Sequence, residues 1–299
     1  MKIKGVHLLL TYQCTLECDH CFVWGSPWQE GTINLKKLRL LLKQAQDIGT
    51  VEWFYFEGGE PFLYYPILLR GVQEAASLGF KTGIVSNAYW AADEGDALEW
   101  LSPFRGLVQD LSVSSDTYHW DTELHQRAII AQRAADQLDI PIGVISVAKP
   151  GAPETSAAAG QLPIGESGVM FRGRAAKSLA SKAHHQPWSS FTECPYENLV
   201  DPGRVHIDPL GNVHICQGIS LGNVFQSSLA EIAAAYDPGD HPITSPIIQG
   251  GPVELVRRYD LPHSERYADA CHLCDEARRG LRDRFPEILM PDQMYGVPT

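Results

Sequence analysis

The chain has 299 residues, enough to bury a sizeable core as one large α/β domain or as a barrel with an appendage. Lys and Arg number 24 against 36 Asp and Glu, a formal charge of −12, which speaks against nucleic acid held by a general basic surface. With 44% hydrophobic and 20% charged residues the chain is neither disordered nor fibrous, and no apolar run reaches the roughly 18–20 residues of a membrane span. Residues 5–12 read as a first strand and not as a signal peptide, because Thr11, Tyr12 and Gln13 follow the apolar stretch without a small-residue cleavage site. Asn34 is the expected N-cap of an amphipathic helix over 35–48 that Gly49 ends. A second strand at 51–57 runs into Gly58-Gly59-Glu60-Pro61, and a helix from Pro66 to Leu78 follows. Strand three, Lys81–Val85, delivers Ser86 and Asn87 at its end, and a helix lies near 94–102. Strand four, Asp110–Asp116, precedes a helix at 122–138, and strand five is Pro141–Val147. The Pro-, Gly- and Ala-rich stretch 149–168 reads as a loop before a sixth strand at Gly168–Phe171. This alternation predicts repeated βα units around a parallel sheet. From about residue 187 the pattern changes to a hairpin turning at Gly211-Asn212, helices at 227–236 and 252–259, a last helix from Cys271 and an irregular tail over 286–299.

Seven cysteines fall into two groups, and the odd count fits a closed set of disulfides poorly. Clustered thiolates in a reducing, cytoplasmic setting are better read as metal ligands. The first group is Cys14-x3-Cys18-x2-Cys21, on the loop after the first strand. Three thiolates this close can hold three corners of a [4Fe–4S] cubane and leave the fourth iron open. Zinc would want a fourth protein ligand, and His20 lies where it could not easily close a tetrahedron. The second group is Cys194, Cys216, Cys271 and Cys274, with a Gly211-x4-Cys216 step and a Cys271-x2-Cys274 pair opening an Arg-rich helix.

A C-x3-C-x2-C loop directly after a first strand, with GGEP one helix later, resembles the radical S-adenosylmethionine (SAM) enzymes. The second cysteine group resembles their SPASM and twitch extensions; four cysteines match the shortened twitch form with one auxiliary cluster, and a zinc site on the same four thiolates is the alternative. After Arg172, Gly173-Arg174-Ala175 resembles a G-R-A step found at the end of the sixth barrel strand in SPASM-type relatives. The resemblance implies an α/β fold: a partial (β/α)6 TIM-like barrel over residues 1–186 with a small α+β cluster-binding domain over 187–299. It implies two [4Fe–4S] clusters, one binding SAM through Cys14, Cys18 and Cys21 and one auxiliary. SAM would meet Gly58, Gly59, Glu60 and Pro61, with Ser86, Asn87, Ser114 and Asp116 near its ribose and carboxylate and Phe22 beside its adenine. Barrel enzymes work at the C-terminal ends of their strands. That places Arg172 as a candidate catalytic residue binding a carboxylate or oxyanion, and Tyr118, His119 and Trp120 along the substrate space.

Reductive cleavage of SAM would give a 5′-deoxyadenosyl radical that abstracts a substrate hydrogen, with a reductant such as flavodoxin or ferredoxin as partner and neither nucleic acid nor membrane involved. An auxiliary cluster that can accept one electron favours net oxidation of a small molecule such as a sugar or aminocyclitol. A peptide maturase forming a cross-link, thioether or epimer is the alternative. The first strand begins near residue 5, leaving no room for the N-terminal recognition domain that such maturases often carry. A third possibility is a non-catalytic cluster-carrying or activating partner, against which the intact motifs argue.

Overall fold

The computed structural model describes residues 1–119, 122–151 and 165–297. The chain opens as βα repeats: β1 (Gly5–Thr11), α1 (Leu35–Ile48), β2 (Trp53–Gly58), α2 (Tyr65–Ser77), β3 (Lys81–Ser86), α3 (Glu94–Leu101), β4 (Val108–Ser114), α4 (Thr122–Gln137), β5 (Ile142–Val147) and β6 (Gly165–Ser167). Then come α5 (Arg174–Ser178), β7 (Gln186–Pro187), β8 (Arg204–Ile207), β9 (Asn212–Cys216), β10 (Ile219–Asn223), α6 (Leu229–Ala235), α7 (Thr244–Tyr259), β11 (Arg266–Tyr267) and α8 (Ala270–Gly280). Nine strands form one sheet in the order β10-β9-β8-β1-β2-β3-β4-β5-β6. From β8 through β6 every neighbour is parallel, and β9 and β10 continue antiparallel from β8. The fold is α/β, consistent with a partial TIM-like barrel. No helix of the described residues is long and apolar enough to cross a membrane.

Side chains alternate across β1: Val6, Leu8 and Leu10 are buried with Leu38, Leu41, Leu42 and Ala45 of α1, whereas Leu9 belongs to a second cluster shared with the C-terminal elements. Helix α1 forms as its caps predict. The Asn34 side chain accepts from Lys37 N at 3.0 Å, and Gly49 closes the end in the left-handed region.

Four expectations are corrected. Strand β4 starts at Val108 and ends at Ser114. The sixth strand is Gly165–Ser167, not 168–171, because the chain has left the sheet by Phe171, whose N–H donates to Asp269 Oδ2 at 3.1 Å. The helix expected at 252–259 begins at Thr244 and kinks at Gly250-Gly251. A Cβ on Gly251, at φ +66°, would lie 2.3 Å from the Glu193 backbone nitrogen, so the strand of chain leading to Cys194 passes against the kink. The tail is not irregular throughout: 292–295 form a short 3₁₀ turn that buries Tyr295, whose hydroxyl donates to Gly218 O at 2.8 Å.

The expected hairpin is present as β8 and β9, but β8 also adds in parallel to β1, pairing Gly5 with Arg204 through Leu8 with Ile207. Asp208, wholly buried, seals this seam. It accepts from the Tyr12 hydroxyl at 2.8 Å, from Asn212 Nδ2 and N at 2.9 Å each and from Leu210 N at 2.9 Å, with His214 Nε2 at 3.1 Å. Burial alone would raise the Asp208 pKa, but His214 and Asn212 more than offset it and hold the carboxyl below its usual range. A depressed carboxylate contributes stability above its unfolded pKa of about 3.9 and loses it as pH falls through the lower folded value. Asp208→Asn turns a donor toward groups that are themselves donors, and should cost about 3 kcal/mol at pH 7 in chemical denaturation. The gap between wild type and variant should narrow below about pH 4.

Candidate active site

The first cysteine loop folds back on the strand that launches it. Cys14 N donates to Ser26 O at 3.0 Å and Cys21 N to Cys18 O at 3.1 Å. Arg174, buried, staples the loop from the far side: Nη1 donates to Cys18 O at 2.7 Å, Nη2 to Gly25 O at 2.8 Å, and its own backbone N–H to Cys21 O at 2.9 Å. Three donors face the sulfurs, namely Leu16 N and Asn87 Nδ2 toward Cys14 Sγ at 3.5 and 3.6 Å and Gly25 N toward Cys21 Sγ at 3.2 Å. Burial pushes the Cys14 thiol up to about 12, with Glu60 adding, and pushes Cys18 higher still. Thiols held neutral by burial and by each other, yet met by N–H donors, need a positive centre to ionise. The loop therefore fits an iron–sulfur cluster.

A cavity opens beside this loop. Gly58 and Gly59 form part of its wall, and a Cβ on Gly59 would sit 2.1 Å from Gln13 O. Only a bare backbone lets the β2 turn and the β1 loop meet this closely. Phe22, Ser86, Asn87, Ser114, His119 and Arg172 also line the cavity. Glu60, Pro61 and Asp116 do not stand among the lining residues. The Glu60 carboxylate braces the turn from behind, accepting from Phe62 N at 3.0 Å, Ser86 Oγ at 3.0 Å and Asn87 N at 2.8 Å. Asp116 closes its own turn, accepting from Tyr118 N at 2.9 Å, His119 Nδ1 at 2.8 Å and Val147 N at 3.1 Å. Ser86 has spent its hydroxyl: it donates to Glu60 and accepts from Trp90 Nε1 and Ala88 N, each at 3.0 Å. The Tyr118 hydroxyl donates to Ala148 O at 3.2 Å, and Trp120 lies outside the described residues.

Cys194, Cys216, Cys271 and Cys274 come from three places, a loop, the end of β9 and the first turns of α8, and they share one environment. Burial pushes Cys194 up to about 11 and Cys274 to about 12, and Cys194 and Cys216 raise both Cys271 and Cys274. Asp269 caps α8 by accepting from His272 N at 2.7 Å while also holding Phe171 N, which ties this cysteine pair to the segment that carries Arg172. Arg172 Nη1 lies 3.2 Å from Glu197 Oε1 and 3.9 Å from Cys216 Sγ, with its guanidinium 5.7 Å from the centre of the Phe22 ring. One side chain thus touches the cavity, the residue after the first triplet and the second cysteine set.

Sequence reasoning missed His7, Glu57, Arg204 and His206, which all line the same cavity. His7, Glu57 and His206 each carried a signal, a polar residue within an otherwise apolar strand, whereas Arg204 opens its strand and carried none. What brings them together is the pairing of β8 with β1, which pattern alone does not announce.

No family model matches the chain. YydG of Bacillus subtilis (strain 168), named as a peptide biosynthesis protein, is 28% identical over 120 residues, 40% of this chain and 38% of that protein. An S-adenosylmethionine-dependent nucleotide dehydratase of Fibrobacter sp. (strain UWH6) is 25% identical over 132 residues, 42% of this chain and 38% of the relative. The matches thus span well under half the length of these curated relatives. Among solved structures, BtrN in complex with AdoMet and 2-DOIA superposes with a TM-score of 0.50 at 13% identity, covering 77% of this chain and 81% of BtrN, a likeness of fold. Likeness in sequence to an S-adenosylmethionine-dependent enzyme and likeness in fold to BtrN meet in a chain whose cysteine loop and glycine turn share one cavity wall, the arrangement in which the chain resembles the radical SAM enzymes.

Proposed function

We propose that this protein is a radical SAM enzyme that oxidises a small, hydroxyl- or amino-bearing molecule such as a sugar or aminocyclitol. Cys14, Cys18 and Cys21 would hold the SAM-binding cluster, and Cys194, Cys216, Cys271 and Cys274 an auxiliary one within residues 187–299. Bound there, a [4Fe–4S] cluster with an open iron supplies the electron that splits the sulfonium of SAM into methionine and a 5′-deoxyadenosyl radical. The chain's part is to hold and to exclude. Gly58 and Gly59 give the backbone approach, Asn87 spans from Thr15 Oγ1 at 2.9 Å to Cys14, and Phe22 and Ser114 shape the wall. Glu60 and Ser86, already satisfied by protein partners, would act by bracing the turn.

The observation that carries the oxidative reading is Arg172, which lines the cavity and reaches Cys216. A redox centre on the second cysteine set would stand one side chain from the space where substrate radicals form. A second reading, peptide modification, is favoured by the peptide-biosynthesis name of the Bacillus subtilis relative.

Anaerobic reconstitution should give about eight irons per chain, and Cys14, Cys18 and Cys21 changed together to Ala should leave about half, read by iron assay and Mössbauer spectroscopy. Zinc on the remaining four cysteines in protein prepared without oxygen would refute the auxiliary cluster. With dithionite, the loaded protein should release 5′-deoxyadenosine slowly without substrate, and Cys18→Ala should abolish the release. A fully loaded protein that never forms it supports the non-catalytic alternative. Cys274→Ala should spare this cleavage while lowering product, provided circular dichroism and first-cluster iron show that the variant is folded.

A further inference from the structure

The segment that carries Arg172 is pinned on both sides. Arg172 N donates to Met170 O at 2.8 Å, and Arg174 N donates to Cys21 O at 2.9 Å. Between them Gly173, at φ +60°, lies so close to the cysteine loop that a Cβ would meet Phe22 Cα at 2.7 Å. Glycine alone suits that conformation in that space, so the direction in which Arg172 leaves the chain is fixed.

The guanidinium is held as firmly, but at one end only. Nη1 donates to Glu197 Oε1 at 3.2 Å and faces Cys216 Sγ at 3.9 Å, while the Phe22 ring centre lies 5.7 Å from the guanidinium carbon. Glu197 is shared, since it also accepts from Arg204 Nη2 at 3.1 and 3.2 Å. Among the described residues Nε and Nη2 of Arg172 meet no acceptor, and neither is shut away: the side chain keeps 11% of its surface and lines the cavity. Gln217 approaches the same sulfur, with Oε1 3.7 Å from Cys216 Sγ, and among the described residues its amide nitrogen also meets no acceptor. Other polar groups on the wall are committed within the protein, Ser86 to Glu60, Asn87 to Thr15, Arg204 to Glu197 and His206, and Glu57 to two imidazoles.

What faces the cavity beside Cys216 is therefore a set of donors, and its shape selects the ligand. The Nε–Nη2 edge carries two parallel N–H groups that match the two oxygens of a planar carboxylate. A guanidinium accepts nothing, so an ammonium group finds no partner there. A phosphate monoester, with its second charge, would want further cations, and among the described residues no lysine lines the cavity.

We propose that the Nε–Nη2 edge of Arg172, with the Gln217 amide beside it, is a substrate subsite that binds a carboxylate. This rests on the small-molecule reading above and deepens it: the hydroxyl or amino group to be oxidised belongs to an acid, whose carboxylate is held next to the second cysteine set.

The test is ligand-observed NMR on the reconstituted, SAM-loaded enzyme with glycolate, glucuronate, their amides glycolamide and glucuronamide, and methyl phosphate. At least one of the acids should bind about tenfold more tightly than its amide. Arg172→Lys, which keeps the charge and loses the paired edge, should weaken that binding several-fold, and Arg172→Met should weaken it by about tenfold or more. Gln217→Glu, which leaves Arg172 in place and sets a carboxylate beside it, should also weaken it by about tenfold. Iron content and circular dichroism check that each variant is folded. Equal binding of acid and amide, binding of neither acid, preference for methyl phosphate, or wild-type binding by folded Arg172→Met or Gln217→Glu would overturn the subsite. So would loss of SAM together with the acid in Arg172→Met, which would make the arginine a SAM contact. An acid held through Arg172 by an enzyme that never forms 5′-deoxyadenosine would keep the subsite and refute the reading above. Formation of 5′-deoxyadenosine by an enzyme that holds neither acid would refute the subsite alone.

Discussion

Everything in the cavity depends on one seam, the parallel pairing of β8 with β1. Without it the C-terminal hairpin would be free of the barrel, and neither His206 nor Arg204 would reach the face that carries His7 and Glu57. Four residue pairs make the seam, so its ladder is short, and the weight falls on the buried carboxylate at its end. Asp208 gathers donors from both sides of the join, Tyr12 from the cluster loop's approach and Asn212 and His214 from β9. A charge this deep is tolerated only because its oxygens are met by several donors, and removing any one of them costs more than an average hydrogen bond.

Arg172 and Arg174 show how two adjacent-but-one residues of the same type divide the work. Arg174 is spent on backbone carbonyls of the cysteine loop, with its charge eased by Glu17 Oε1 at 3.7 Å, and acts through the shape of that loop. Arg172 faces the cavity, held by Glu197, which also holds Arg204. Burial would lower the Arg172 pKa, yet the Cys216 and Glu197 charges more than offset it and leave it raised. The guanidinium is thus a fixed positive charge beside the second cysteine set. That set is carried by α8, whose N-cap Asp269 reaches back to Phe171, so the two sites are built into one another through the chain on either side of Arg172.

Much of this was legible from the sequence because the physics involved is local. Asn34 and Gly49 mark both ends of α1 to the residue, and the triplet Cys14, Cys18 and Cys21 and the Gly58–Pro61 turn name their own loops. The pieces that were not legible depend on contacts between distant segments. The sixth strand was misplaced by three residues because Asp269, about a hundred residues away, draws Phe171 out of the sheet. The kink in α7 looked like a helix start because Gly250-Gly251 is a break in pattern, when it is a crossing point for the chain before Cys194. His7 and His206 each read as a lone polar residue in a strand, which carries no meaning until the strands are paired.

The contrast between Glu57 and Glu60 follows from the same distinction. Three residues apart on one strand end, they differ in what is left over. Glu60 receives donors from Phe62, Ser86 and Asn87, and even so burial pushes its pKa up to about 7, so its oxygens are committed to the turn and its cost is met within the protein. Glu57 faces the cavity with two imidazoles close by and one oxygen unpartnered. A motif read as a string assigns binding to the residue inside it, here Glu60. The geometry instead assigns bracing of the turn to Glu60 and sets the Glu57 carboxylate against His7 Nδ1 at 3.4 Å and His206 Nε2 at 3.2 Å. The GGEP turn thus sets the backbone against the cluster loop, and the residue just before it, Glu57, ties β2 to β1 and β8 at the cavity wall.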